Sequence, residues 1–221
     1  MLGTFTPDVL LALWRGTLIT LSLTVLASVF GLVLGMIAAM GRLSRPWPLR
    51  LLAGVYIETF RGTPLLVQLF FLYFALPQIT KITLPAFHTA VLGLSLFTGA
   101  YAAEIIRGSL NAVGHGQVEA GRALGLRPAQ VLRLIMIPQA ARVGVPSLGN
   151  QFIGLLKDSS LASVITVTEL LLTTRGIVSI TYQPVAMYFA VGLIYFLLST
   201  LAARAFRVLE RRLNRPYQIS T

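Results

Sequence analysis

The chain has no cysteine in its 221 residues. That excludes a disulfide framework, a thiolate nucleophile and a cysteine-ligated metal site, and it leaves the redox compartment unread. Charge is scarce: 11% of the residues are charged and 7 are acidic. The two histidines, His88 and His115, are far apart and lack a paired carboxylate at metal spacing, so they read as surface or satisfied residues rather than ligands. No G-x-x-x-x-G-K-S/T phosphate loop occurs, which leaves the chain without a recognisable ATP site of its own. Nothing supports a serine nucleophile. An early positive segment with a short apolar core is also missing, since Arg15 is the first basic residue, so no cleaved signal peptide is expected.

What is present is apolar. Hydrophobic residues make up 56% of the chain and the mean hydropathy is +0.80, outside the range of soluble globular domains. A net charge of +11 would suit a nucleic-acid binder, but the basic residues cluster at the ends of apolar runs. That placement fits the positive-inside rule better than a phosphate-binding face, and no nucleic-acid partner is expected.

Leu18–Met40 lies between Arg15 and Arg42 and is long enough for about 30 Å of hydrocarbon; Gly31, Gly35 and Ala39 recur in it at four-residue spacing, which permits close helix contact. Leu51–Leu76 is a second span interrupted by Glu58, Arg61 and Pro64. Pro64 is expected to bend it or to start its deeper half. Leu84–Ala103 is a third span. Val143–Leu156 is a short fourth, interrupted by Asn150 and Gln151, which reaches full length by borrowing Gln139–Arg142. Ser159–Thr174, with a turn signal at Arg175-Gly176, reads as an interfacial or re-entrant helix with Glu169 as a cap or interface residue. Val185–Ala203 is the last span, before a basic tail. The expected fold is therefore all-α and integral to the membrane. Five transmembrane helices fall at about 16–40, 51–76, 84–106, 139–157 and 185–204, with a polar loop at 109–138 and a re-entrant segment at 159–184. With five spans, thirteen arginines fall on one side and four basic residues on the other, which places the C-terminus in the cytoplasm and the N-terminus outside. The arginines of 204–215 read as anchors at an anionic lipid leaflet.

The polar loop reads as two short helices joined at a glycine. Gly125 suits a left-handed cap and Pro128 the first turn of the next helix. That helix is expected to put Val131, Leu134 and Ile135 on one side until Pro138 interrupts it. Glu119-Ala120-Gly121, three residues, Gly125, nine residues, Ile135, one residue and Ile137-Pro138 resembles the EAA loop of type I ABC importer permeases, with Gly121 where Ala is usual and Ile137 where Leu is usual. FRGTPLLVQL (60–69), AAEIIRG (102–108) and LLKDSSLA (155–162) resemble the polar amino-acid branch of that family, whose substrates include cystine, glutamine, arginine and histidine.

The resemblance implies a single permease domain in a bacterial inner membrane. It implies dimerisation with an identical or homologous permease, two cytoplasmic ABC ATPase subunits, a solute-binding protein outside, and transport by alternating access. The permease would hold no cofactor, ATP and Mg being bound by the ATPase, and would be no enzyme itself. Glu119, Ala120, Gly121, Gly125 and Pro138 would belong to the ATPase-coupling element.

Glu58 and Arg61, three residues apart, suit either a structural ion pair or a translocation gate. Asn150, Gln151, Lys157 and Asp158 suit either helix–helix hydrogen bonding or a polar pathway for a zwitterion, Asp158 opposite an ammonium and Lys157 opposite a carboxylate; Thr98 and Tyr101 would face the same cavity. The rival classes are an ATPase-independent channel or ion-coupled carrier, for which no internal repeat is evident, and a membrane scaffold, which needs no polar residues inside its spans.

Overall fold

The computed structural model describes residues 5–214, so the end of the basic tail, Arg215 included, lies outside the described residues. No strand occurs among them. The helices are α1 (Pro7–Leu43), α2 (Trp47–Gly62), α3 (Leu65–Thr80), α4 (Ala86–Asn111), α5 (His115–Ala123), α6 (Pro128–Ile165), α7 (Leu170–Thr181) and α8 (Pro184–Asn214). Four of these, α1, α4, α6 and α8, are long and apolar enough to cross a bilayer, and α2 with α3, bent by 108° at their junction, is apolar enough as a pair to count as a fifth candidate.

Small residues set the tightest packing. A Cβ on Gly31 would stand 2.9 Å from the Thr98 Cβ, and one on Gly35 2.7 Å from the Ala102 Cβ, so α1 and α4 approach along the glycine row. Leu23 and Ala27 of α1 then meet Leu65 and Leu69 of α3, Leu94 of α4 and Leu155 of α6 in the main core.

The bend in the second span follows from its sequence. Thr63 precedes Pro64 and is driven out of the helical region, to φ −120° and ψ 147°. The carbonyls this frees are met by Gln68, whose Nε2 donates to the Phe60 oxygen at 2.9 Å and the Thr63 oxygen at 3.1 Å. Inside a membrane such freed groups need a protein partner.

Pro138 does not interrupt its helix. The Ile137 amide donates to the Leu132 oxygen, five residues back, and the widened turn admits a residue without an amide before the helix runs on to Asp158. The same device precedes Pro77, where the Leu76 amide reaches the Phe71 oxygen. The extra residue also rotates the face: Val131 is buried and Ile135 half-buried, while Leu134 turns out and is 61% exposed.

The segment after Asp158 is not one regular helix. Ser159–Ile165 tightens into a 3₁₀ turn, Thr166 is left-handed at φ 67°, and α7 starts afresh on a Glu169 cap. Arg175 and Gly176 lie inside α7; the turn comes later, at Tyr182, with φ 52°.

Candidate functional site

The polar hairpin is built by α5, Gly125 and the start of α6. Gly125 has φ +76° and open space around it. Its amide donates to the Arg122 oxygen at 2.9 Å, and the Leu126 amide to the Gly121 oxygen at 3.1 Å. These two bonds close the end of α5 as a Schellman motif, which needs a left-handed residue where Gly125 stands. The next helix begins with the Arg127 amide donating to the Gln130 Oε1 at 2.8 Å.

Ala120 and Gly121, neighbours in the loop, face opposite ways. Ala120 is exposed, beside Glu119 and Ala123. Gly121 is buried, and Ile135 folds over it, with its Cδ1 2.5 Å from where a Cβ would stand. Its lack of a side chain serves closure of the hairpin. Leu124, at the tip, is 83% exposed. The hairpin thus presents an apolar tip with a carboxylate on its flank.

A second polar centre joins α1, α2 and α4. Glu58 and Arg61 do not pair with each other, because α2 is wedged between two helices and the two side chains face different neighbours. Arg42 Nη2 lies 3.4 Å from Glu58 Oε1, and Arg61 Nη1 lies 3.8 Å from Glu104 Oε2. Glu104 also accepts two bonds from Arg107, from Nε at 3.0 Å and from Nη2 at 2.7 Å. Arg61 stands 5.3 Å over the ring of Tyr101. Three guanidiniums and two carboxylates thus line a cleft of about 390 Å³. The role of Glu104 was readable only as its i,i+3 relation to Arg107; its distance from Arg61 in sequence hid the rest.

The intramembrane polar residues separate into two sets. Gln151 and Thr98 share an apolar cavity of about 250 Å³ with Ser28 and Phe206, and the Thr98 hydroxyl, buried, has no partner there. Tyr101 does not join them, since it stacks on Phe97 with ring centroids 4.7 Å apart and faces Arg61. Along α6, Ser147, Asn150 and Lys157 are exposed, Asp158 is half-buried, and Gly154 opens onto empty space. Residues three, four and seven apart share a helix face. This outward stripe of α6 is therefore polar and small rather than lipid-like.

Glu169 has a larger structural role than its sequence position signals. It is fully buried, accepts the amides of Leu171 and Leu172 at 2.9 Å each, and accepts the Tyr195 hydroxyl at 3.0 Å and the Thr20 hydroxyl at 3.4 Å. It ties α7 to α1 and α8. Burial pushes its carboxyl pKa up, against the pull of those four donors.

Comparison with known proteins places this geometry. Residues 31–215 match the family of binding-protein-dependent transport system inner membrane components. The L-cystine transport system permease protein TcyB of Bacillus subtilis is 42% identical over 201 residues, 90% of this chain and 86% of that protein. The octopine transport system permease protein OccM of Rhizobium meliloti is 37% identical, over 98% of this chain and 94% of that protein. The crystal structure of an amino acid ABC transporter with histidines superposes with a TM-score of 0.87 at 40% identity, covering 91% of this chain and 94% of that one. An inward-facing structure of the MetNI methionine ABC transporter shares the fold, with a TM-score of 0.77 at 21% identity. The chain belongs to this family: it is a multi-pass inner-membrane permease component of an ABC importer, a transport component rather than an enzyme.

Proposed function

We propose that this permease carries a polar amino acid inward by alternating access, driven by an ATPase that grips the hairpin of α5 and the start of α6. The observation that carries the reading is the rigid tip itself: Gly125 held left-handed in a double-bonded cap, with Leu124, Ala120 and Glu119 on its free surface. α4 leads into this hairpin and α6 leads out of it, so a push on the tip reaches two spans directly. In this reading ATP and Mg bind the ATPase, two copies of which serve a pair of permeases, identical or homologous. A solute-binding protein delivers substrate outside, with the N-terminus on that side and the C-terminus in the cytoplasm.

The outward stripe of α6 supports a pathway shared with the second permease. Asn150, Lys157 and Asp158 would be costly against lipid but suit a watered cavity crossed by a zwitterion. Asp158 faces the ammonium and Lys157 the carboxylate. The relatives named for L-cystine and octopine support a polar amino acid or a related compound as cargo. The clustered arginines and carboxylates around Glu104 act as the gate at the far end of the pathway, where Arg61 can exchange partners.

The test is uptake into proteoliposomes holding both permeases, the ATPase and the binding protein. Uptake of a polar amino acid that needs internal ATP supports the proposal. Uptake that follows an ion gradient without ATP would transfer the chain to the carrier class.

A further inference from the structure

The last third of α8 has two unlike sides. Phe206 lies against Gly149, and its ring meets that of Phe152 at 5.5 Å, so this side closes onto α6. At 3.6 residues per turn, Arg204, Arg207 and Arg211 project from the opposite side. All three are exposed and border a shallow groove of about 340 Å³. Among the described residues none of them has a carboxylate within ion-pair distance. Glu210, the one acid after Arg204, follows Arg207 by three residues but is half-buried between it and Phe206 and makes no ion pair with it. The same stripe continues up the helix through Leu201 and Leu197, which are 60% and 51% exposed.

Bare hydrocarbon thus gives way to three guanidiniums within two turns of one helix face. A water-soluble acidic partner would match the charge but would leave the leucines uncovered. An amphiphile with a negative head covers both. We propose that this face is a binding site for an anionic phospholipid, with an acyl chain along Leu197 and Leu201 and the phosphodiester held among Arg204, Arg207 and Arg211. Guanidinium groups suit the task because they offer paired donors to phosphate oxygens and keep their charge at any working pH. The inference rests on α8 being a membrane span and is independent of the coupling hairpin.

The experiment is fluorescence quenching of the full chain in phosphatidylcholine vesicles. One reporter is introduced as Leu201→Trp, with Trp14→Phe and Trp47→Phe removing the exposed native tryptophans. Brominated phosphatidylglycerol is expected to quench in clear preference to brominated phosphatidylcholine. Each arginine changed to glutamine should lower that preference about fivefold, while the triple Arg→Lys variant keeps most of it. Quenching by brominated phosphatidylcholine serves as the check on folding and insertion. If the triple glutamine variant fails that check, the three single variants carry the test. No preference in the parent chain, or a preference that survives the glutamine changes, overturns the site. The same holds if the glutamine variants keep the preference but lose a bound soluble protein, since the arginines then serve that partner.

Discussion

Ile135 occupies the space that a side chain at position 121 would need, its Cδ1 standing 2.5 Å from the ideal Cβ position on Gly121. The glycine at this place, where related loops carry alanine, is matched by a neighbour that fills the gap from the other helix. Gly121→Ala should change stability by less than about 1 kcal/mol, since the tip of Ile135 can rotate aside and alanine favours the helix. Gly121→Leu cannot be accommodated that way and should spring the hairpin. Thermal unfolding of both variants checks this: the alanine variant should melt close to the wild type and the leucine variant well below it.

Glu104 and Glu58 offer a contrast within one cleft. The side chain of Glu58 is 75% exposed in its contact with Arg42, and Glu58→Ala should cost no more than about 0.5 kcal/mol. The Glu104 side chain is 21% exposed and holds two arginines. Glu104→Ala leaves Arg61 and Arg107 without their shared carboxylate but still open to water, and should cost about 1 kcal/mol, with a larger loss of transport than of stability. Paired melting and uptake measurements separate the two effects.

For Glu169 the prediction concerns pH. Its pKa is raised above the ordinary 4.5 by burial, so the folded state holds the proton more tightly than the unfolded state. The stabilisation from that proton is complete below about pH 4.5 and is lost as pH rises through the folded value. Unfolding midpoints of the wild type and Glu169→Gln should therefore diverge with pH, the wild type losing ground above the ordinary carboxylate range. Parallel curves would contradict the assignment. Tyr195→Phe, removing one donor to Glu169, should cost about 1 kcal/mol in the same assay.

Much of this fold was legible because its signals are local. The spacing from Glu119 to Pro138 announced the hairpin, Gly125 announced its left-handed cap, and Pro64 announced the bend. Partners distant in sequence were not legible. Glu58 and Arg61 looked like a pair by spacing, yet their neighbours came from α1 and α4. Pro138 read as a stop because a five-residue turn that absorbs a proline has no sequence mark of its own. Glu169 read as a cap, and it is one, but its burial against Thr20 and Tyr195 depends on how α1 and α8 cross. Thr98 and Tyr101, three residues apart, seemed to face one cavity, but a tyrosine ring reaches far enough to stack elsewhere.

The central claim is that the hairpin tip couples this permease to an ATPase. The most direct measurement is ATPase activity in nanodiscs of the complex assembled from this chain and its co-purifying partners, comparing wild type with Gly125→Asp. Gly125 has φ +76°, so a side chain there strains the cap and adds a charge beside the exposed Leu124. The account predicts hydrolysis stimulated by loaded binding protein in the wild type, and in the variant a loss of that stimulation or of the ATPase subunit itself. A variant that keeps the ATPase bound and fully stimulated, or a wild type with which no ATPase co-purifies, would contradict it.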